Sequence, residues 1–494
     1  MGMDFLAKEY KGHDGGLTTH SVQHAVAPNK VVDCLNMYLD RLTNTWRKRN
    51  GYSRDNSSAI SANAMRGIHR HYGATKYRVV ANGTNVYSDD GAGTYSSILA
   101  AIASDTDCHF TSIEISGTLN TIMCNGNNQA VQKWNGTGSM SALGGSPPKG
   151  LALMVHKNFL WIAHATTAQQ VVYSDLGDPE SYPVNNFINV KTKGAGAIVG
   201  FAVHSDALII FKTDSIWRVV GSSNDDFRLE RVTSPTGAIS QRSIVEGQGE
   251  VFFFGSDQMC YSLRGDTVSP IGLDVETTLA AIPSGGRAFT AGAYYKNVYY
   301  LSYRRATPTT NDRVLLFDAL KRVWVGIYDW PVNCFVVQGG QGDSGELYAG
   351  QASNGFVLKL DNTTKDSTTT IQTLLQYRYE DQEEQSRIKR YASLLVNVQP
   401  FNGTLVVEVL LDYSTVTTVL ASQSSTSNTS LWDTAVWDTA VWGGQSFHQY
   451  AYRIPTPNKG NSISVKLTNT DSDDTLYFYG YEVTYQPQSL RWTA

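Results

Sequence analysis

Acidic side chains near predicted turns are the first residues whose types could support catalysis. Asp175, Asp178, Glu180, Asp257 and Asp318 each lie next to a strand-like segment. Two carboxylates that converge on one cavity are the machinery of a glycosidase. Asp is also common in turns, because its side chain hydrogen-bonds to the nearby backbone. The sequence leaves a converging pair open, and we assign no catalytic residue and expect no enzyme.

One glycine-rich motif of the GxGxxG type occurs, at Gly340, Gly342 and Gly345. A dinucleotide site needs such a motif to open a helix, because the helix N-terminus faces the pyrophosphate. Here the residues that follow, 346–349, have the pattern of a strand, so the motif predicts a hairpin loop. The chain also lacks the HExxH, Walker A and GxSxG motifs.

Metal-ligating residue types occur in three small groups with incomplete ligand sets. Two histidine pairs have no acidic or cysteine partner at ligand spacing. One acidic turn lacks the glycine and the distant glutamate of an EF-hand loop. We therefore expect surface histidines and a solvated turn, with no metal and no cofactor. The groups are His20 with His24, His69 with His71, and Asp471 with Asp473 and Asp474.

The cysteines and the overall charge exclude several classes of protein. Cys34, Cys108, Cys124, Cys260 and Cys334 are odd in number, widely spaced and without a CxxC pair, which predicts free, buried thiols. With a net charge of -4, the chain lacks the positive electrostatic field that non-specific nucleic-acid binding requires. No apolar run approaches the ~20 residues of a membrane span, and the N-terminus has no signal-peptide pattern. We expect synthesis in the cytoplasm and solubility until assembly.

The elements that must position these residues are strands. The 494-residue chain has 27 Tyr, 17 Phe and 10 Trp, and 43 Gly against 14 Pro, which favours pleated sheets and tight turns. A unit of apolar strand, polar turn and second strand begins near residues 79, 121, 160, 208, 252, 298 and 347. The mean step of roughly 45 residues is the length of a four-stranded propeller blade. The prediction is a β-propeller of seven blades, with six as the alternative count and stacked sandwiches as the alternative architecture.

The two ends of the chain differ from the repeat. Residues 1–60 show no sustained period and predict an extended arm, in which Arg47, Lys48 and Arg49 would pair with a neighbouring subunit or stay solvated. Residues 61–365 form the predicted propeller. Residues 366–494 contain strands that alternate in polarity and predict a β-sandwich. The only helix-like stretches are 95–103 and 275–281.

Three stretches of the chain resemble one known family, the propeller proteins of bacteriophage tails, including the packaged-DNA stabilisation or tail-nozzle proteins of short-tailed phages. The N-terminal run contains Gly-Gly-Leu at 15–17, Pro-Asn at 28–29 and an Arg-rich stretch that ends in Gly51. The second stretch, at 173–182, is like the family's "SDLGDPE" loop. The third is the tandem Trp-Asp-Thr-Ala-Val at 432–441, followed by Trp442.

The resemblance implies a structural virion protein of the tail, a hub or nozzle that extends the DNA channel, retains packaged DNA and docks fibres or spikes. It implies a homo-oligomeric ring, commonly of six subunits, with the head-to-tail connector or adaptor proteins as partners and transient contact with phage DNA. The expected location is the virion. The alternative is a carbohydrate-binding or glycoside-cleaving propeller for host-surface recognition, in which Trp432, Trp437 and Trp442 would stack on sugars.

Overall fold

The structure is a computed structural model. It describes residues 4–488 except 12, 21–25, 104–105, 193, 233, 235, 308, 341–342, 400, 402, 415, 426–447 and 471–474. The chain divides into two compact units. The sandwich unit comprises Met1–Tyr52, Lys321–Asp329 and Asp361–Ala494, and the propeller unit comprises Ser53–Leu320 and Trp330–Leu360.

The strands are numbered in chain order. The first five are β1 (Leu6–Tyr10), β2 (Val31–Leu35), β3 (Met37–Leu39), β4 (Trp46–Lys48) and β5 (Gly51–Arg54). The last eight are β33 (Thr373–Tyr377), β34 (Lys389–Val398), β35 (Gly403–Leu411), β36 (Thr418–Ser425), β37 (His448–Arg453), β38 (Lys459–Gly460), β39 (Ile463–Asn469) and β40 (Tyr477–Pro487).

The strands between them follow one another in antiparallel hairpins. The first four sets are β6 (Met65–Tyr72), β7 (Lys76–Asn82), β8 (Asn85–Asp89), β9 (Tyr95–Leu99); β10 (His109–Ile115), β11 (Thr118–Cys124), β12 (Gln132–Trp134), β13 (Ser141–Ala142); β14 (Gly150–His156), β15 (Phe159–His164), β16 (Gln170–Tyr173), β17 (Phe187–Asn189); β18 (Ile198–His204), β19 (Ala207–Lys212), β20 (Ile216–Val220) and β21 (Arg228–Val232). The rest are β22 (Val245–Gly247), β23 (Glu250–Phe254), β24 (Cys260–Arg264), β25 (Thr267–Pro270); β26 (Ala291–Tyr295), β27 (Val298–Tyr303), β28 (Arg313–Asp318), β29 (Val323–Tyr328); β30 (Val332–Gly340), β31 (Asp343–Gln351) and β32 (Val357–Thr363).

Seven sets of antiparallel strands make up the propeller in the described part of the chain, and their first strands are β6, β10, β14, β18, β22, β26 and β30. Each of these first strands contacts the next one, and β30 contacts β6, so the sheets close into a ring of blades. The last blade is completed by residues from the N-terminal end of the unit, which lie beside β32. Asp55 N–H donates to the Val357 carbonyl at 2.8 Å, and Val357 N–H donates to Asn56 Oδ1 at 2.8 Å. The predicted all-β propeller is thereby confirmed.

The second strand of each blade carries the core. The predicted repeat starts fall on β7, β11, β15, β19, β23, β27 and β31, because these strands are apolar on both faces. Phe252 and Phe253 in β23 are fully buried, and Phe253 packs 5.0 Å from Phe211 of the preceding blade. A strand packed between two sheets has no solvent face, so its sequence shows an apolar run instead of alternation.

The sandwich unit has two antiparallel sheets. One runs in the order β2-β33-β39-β35-β36, and the other contains β3-β4-β40-β34-β37, with β1 paired to β40 and β38 paired to β34. Alternate residues point between the sheets, as predicted: Leu394 and Val396 in β34 and Val465 in β39 are fully buried. The rings of Tyr377 and Tyr481 meet at 4.9 Å across the interior.

The N-terminal segment differs from the predicted separate arm. Within the chain itself, β1 pairs with β40, β2 pairs with β33, and β4 pairs with β40. The unpaired backbone groups of a sheet edge favour the addition of a strand, and the C-terminal sheets provide such edges. Residues 1–52 and 361–494 therefore belong to one unit, and the propeller begins at Ser53 instead of residue 61.

The prediction for the basic run of this segment was also wrong. The Arg49 side chain is only 1% exposed, and its Nη2 lies 2.6 Å from Asp329 Oδ1 and 2.6 Å from Asp366 Oδ2. Arg47 lies 3.4 Å from Asp40, and Lys48 is buried. Arg47 and Arg49 thus pair with carboxylates of their own unit, and those of Arg49 come from distant parts of the chain.

Helices are few, as expected: the structure is about 53% strand and 3% helix. The α-helices in the described residues are α1 (Glu276–Ala280) and α2 (Ser284–Arg287), and short 3-10 helices span Gln241–Ser243 and Leu273–Val275. The predicted helix at 275–281 is confirmed by α1. The one at 95–103 is wrong, because 95–99 forms the outer strand β9 against β8. Within the described chain, no helix has the length and apolarity that a membrane crossing requires.

Candidate functional site

A cavity of the propeller unit lies among the first strands of the blades. It has a volume of about 460 Å³ and is bordered by residues of β6, β10, β22, β26 and β30. A propeller leaves such a space because its innermost strands meet around a central channel. The volume is that of a small-molecule pocket.

Two histidines that border this cavity have pKa values well below the usual value of a histidine. Burial and, to a smaller extent, the neighbouring His71 lower the pKa of His69 to about 4. His69 Nε2 lies 2.8 Å from Ser112 Oγ. Burial also lowers the pKa of His109 to about 4, with Asp107 acting in the opposite direction. Both imidazoles are neutral at pH 7, so neither supplies a cation at that pH.

A charged cluster lies where the first strands begin. Arg242 Nη2 is 3.1 Å from Asp107 Oδ2, and Arg66 Nη1 is 3.8 Å from Asp107 Oδ1. Arg242 Nη1 also donates to the Asn333 carbonyl at 2.9 Å. With the blades numbered 1 to 7 in chain order from the one that begins with β6, this cluster joins residues of blades 1, 2, 5 and 7. The sequence analysis missed this cluster because the predicted repeat began at the second strand of each blade. The residues of the cluster lie in or just before the first strands.

The acidic residues singled out by sequence do not form this site. Within the residues that the structure describes, none of the five borders the central cavity. Asp175 accepts hydrogen bonds from Ser181 Oγ at 2.6 Å and from Asn186. Asp257 accepts from Tyr261 at 2.6 Å, and Asp318 accepts from Leu320 N–H at 2.9 Å. Asp178 accepts from the N–H of Glu180 at 3.0 Å. Their roles are local turn hydrogen bonds.

The glycine motif lies in the β30–β31 hairpin, as predicted. Gly340 ends β30, and Gly345 in β31 has a φ of +68°. Gly342 is outside the described residues.

The remaining candidate ligands are mostly structural or lie outside the described residues. His69 and His71 are both on β6, and His71 is buried instead of exposed. Among the described residues, no group of three His, Cys, Asp or Glu side chains could hold a metal ion. All five cysteines are free and buried, as predicted. Outside the described residues lie His24, the acidic turn of Asp471, Asp473 and Asp474, and the tryptophans Trp432, Trp437 and Trp442.

Glu180 of the "SDLGDPE" loop gives a testable structural role. Its Oε1 accepts from Lys133 Nζ at 2.8 Å and from Gly144 N–H at 2.7 Å, which links blade 3 to blade 2. Replacing Glu180 with Gln should lower the free energy of unfolding by about 1–2 kcal/mol, because charge-assisted bonds are the stronger ones. Urea denaturation measures this loss. The matched change Asp178→Asn, in an exposed turn, should cost less than half as much.

No family model and no curated protein matches this chain. Among solved structures, it is similar to a crystal structure of BBS1N in complex with ARL6DN soaked with lead, with 10% identity over 65% of this chain and 99% of that chain and a TM-score of 0.43. The mercury-soaked counterpart gives 10% identity over 63% and 97% of the two chains and a TM-score of 0.42.

Proposed function

We propose that this chain is a structural protein of a bacteriophage tail, a hub or nozzle subunit. In this proposal several copies, commonly six in the family that it resembles, form a ring that extends the DNA channel, retains packaged DNA and docks fibres or spikes. The head-to-tail connector or adaptor proteins are its partners. The observation that carries the proposal is the sequence resemblance to tail-hub propellers, at residues on which the fold depends.

The Gly-Gly-Leu run at 15–17 has such a position. Leu17 is fully buried, and its N–H donates to the Trp324 carbonyl at 2.7 Å. Gly16 has a φ of +80°, and a Cβ at this position would lie 2.4 Å from the same carbonyl oxygen. Only glycine fits this backbone without strain. The resemblance here therefore extends to a residue that sets the geometry of the sandwich unit.

The "SDLGDPE" loop is similarly constrained. Ser174 is buried, its Oγ accepts from Leu160 N–H at 3.0 Å, and Gly177 has a φ of +72°. Asp175 and Glu180 make the hydrogen bonds described above. The loop thus stabilises blade 3, which is the role expected of a structural motif and not of a catalytic one.

The size of the propeller cavity limits how DNA would pass. Its volume of about 460 Å³ suits a small ligand. A DNA duplex, whose major groove alone is ~12 Å wide, is too large to thread it. In the proposed ring the DNA therefore runs through the opening that the subunits enclose. The net charge of -4 suits such a conduit, because strong phosphate neutralisation would hold the DNA in place.

Phage particles that lack this protein test the proposal. We expect filled heads that lose their DNA or fail to eject it, measured by DNA content and infectivity of purified particles. Complementation with Gly16→Ala should restore infectivity poorly, because the added Cβ meets the Trp324 carbonyl. Gly91→Ala is the matched control, since Gly91 has a similar φ of +81° with open space around it. Particles that keep their DNA and lose only attachment to sugar-coated hosts would favour the carbohydrate-binding alternative.

A further inference from the structure

Asn-Gly pairs recur along the chain, and one of them lies in an exposed turn of the propeller unit. The pairs begin at Asn50, Asn82, Asn125, Asn135, Asn354 and Asn402. Such a pair can modify itself, because glycine has no Cβ to keep its backbone nitrogen away from the asparagine side chain. The nitrogen attacks Cγ of the asparagine, and the side-chain nitrogen leaves as ammonia. The pairs therefore differ in reactivity according to how the fold holds each amide.

The pair Asn135-Gly136 lies in the turn between β12 and β13. Asn135 and Thr137 are exposed. Asn135 Oδ1 accepts two hydrogen bonds, from Thr137 N–H at 3.1 Å and from Thr137 Oγ1 at 2.9 Å. A side chain that accepts from the backbone two residues on forms an Asx turn. The ring that this bond closes contains both Cγ of Asn135 and the nitrogen of Gly136, which keeps the two reacting atoms close together.

The two bonds from Thr137 also point at the atom on which charge develops. Attack on Cγ turns Asn135 Oδ1 into an oxyanion. Donors that are already in place at such an oxygen stabilise the transition state more than the ground state. The backbone N–H of Thr137 also fixes the amide orientation, because of the two amide ends only the oxygen can accept from it. Thr137 therefore supplies both donors of a small oxyanion site.

Three other Asn-Gly pairs have side chains that the fold shields or holds. Asn82 is 1% exposed, and Asn125 is fully buried. Asn50 is partly buried, and its Nδ2 donates to Asp361 Oδ1 at 2.9 Å. Asn402 lies outside the described residues. Burial and the bond to Asp361 both oppose the rotation that brings Cγ to the next nitrogen.

The pair Asn354-Gly355 is the closest comparison, because Asn354 is also exposed. Here the fold occupies the nucleophile instead: the N–H of Gly355 donates to the Ser61 carbonyl at 2.7 Å. The N–H of Gly136 has no acceptor among the described residues. Of the described pairs, Asn135-Gly136 thus combines an exposed amide, an unengaged nucleophile and two donors on the reacting oxygen.

We infer that Asn135 is a self-modification site at which the folded chain deamidates. The bond from the Gly136 nitrogen to Cγ forms, the Cγ–Nδ2 bond breaks, and the Gly136 amide proton leaves with the ammonia. Water then opens the succinimide to aspartate or isoaspartate. Each event changes the net charge from -4 to -5. Isoaspartate also lengthens the backbone of a turn that is closed by the bond from Trp134 Nε1 to the Gly138 carbonyl at 3.0 Å. This inference does not depend on the proposed role in a tail.

Incubation of the full chain at pH 8.5 in oxygen-18 water, followed by peptide mass spectrometry, tests the site. Opening of the succinimide adds one labelled oxygen, so the label counts only the events of the incubation. We expect Asn135 to convert at least tenfold faster than Asn354 in the same sample. Thr137→Val removes the hydroxyl donor but keeps the side-chain shape, and it should slow the conversion of Asn135 at least threefold. Thr137→Ser keeps the hydroxyl and should stay within twofold of the parent.

The urea-unfolded chain is the reference for these rates. In urea, Asn135 and Asn354 should convert at rates within about threefold of each other, and Thr137→Val should have no effect, because both differences arise from the fold. Gly136→Ala is unsuitable as a test, since Gly136 has a φ of +95° and a Cβ there would lie 3.0 Å from His71 Nε2. Equal conversion of Asn135 and Asn354 in the folded chain would overturn the inference. So would an unchanged or faster conversion in folded Thr137→Val that has the parent's melting temperature.

Discussion

Replacing Arg49 with methionine should lower the free energy of unfolding of the sandwich unit by about 3–5 kcal/mol, the usual cost of removing one partner from a buried ion pair. The guanidinium binds Asp329 and Asp366, and its Nε donates to Asn36 Oδ1 at 2.7 Å. Burial alone would lower the pKa of Arg49, but the bonds and charges of Asp366 and Asp329 raise it above its usual value. Without Arg49, the carboxylates of Asp329 and Asp366 lose the cation that they share.

Amide hydrogen exchange in increasing urea measures this loss by region. Peptides from β34 and β40 report on the sandwich unit, and peptides from β19 in the propeller unit serve as an internal reference. The control Arg47→Met removes the same charge two residues away, where the side chain is 27% exposed and pairs with Asp40 at 3.4 Å. It should cost about 1 kcal/mol or less. Equal losses of unfolding free energy in Arg49→Met and Arg47→Met would show that the buried ion pair stabilises the unit no more than the exposed one.

Acidification should destabilise the propeller unit by about 2–4 kcal/mol between pH 6.5 and pH 4, through His69 and His109. Each has a folded-state pKa lowered to about 4 by burial, against ~6.5 in an unfolded chain. Below pH 6.5 the unfolded chain therefore binds protons that the folded chain does not bind. The free energy of unfolding decreases as the pH is lowered. The full difference in pKa between the unfolded and folded states would lower the free energy of unfolding by about 3 kcal/mol per histidine. We expect about half, because both side chains are only partly shielded from solvent.

The measurement is the urea midpoint of β19 and β23 peptides at pH 7 and pH 4.5. In the double variant His69→Gln, His109→Gln the loss between these two pH values should shrink to less than half of the parent's. Gln keeps a polar side chain but does not titrate, so the change isolates the imidazoles. An identical pH dependence in parent and double variant would place the acid sensitivity in other groups.

The sequence predicts the propeller because the strongest signal of each blade is local. A run such as Phe252 to Phe254 is apolar on both faces, and a turn such as that after Asn82 needs Gly83 at a φ of +58°. Both features are visible within ten residues. The same holds for the alternating strands of the sandwich unit, in which Leu394 and Val396 lie on one buried face.

The features that sequence reasoning missed depend on partners that are distant in the chain. Arg49 meets Asp366, and Asp107 meets Arg242, and nothing in the local pattern of either residue marks the other. The outer strand at 95–99 has a helix-compatible composition, and only its pairing with β8 makes it extended.

The division of the sandwich unit has a consequence for synthesis on the ribosome. Its strands β1 and β2 pair with β40 and β33, which lie beyond residue 360, and the propeller sequence lies between Tyr52 and Asp361. At ~5–20 residues per second this interval of about 300 residues lasts roughly 15–60 s. During that time the propeller can close on its own, whereas β1 and β2 have no sheet to join. Strands in that condition are exposed to wrong pairing, so yield during expression should depend on elongation rate and on chaperones that hold extended segments.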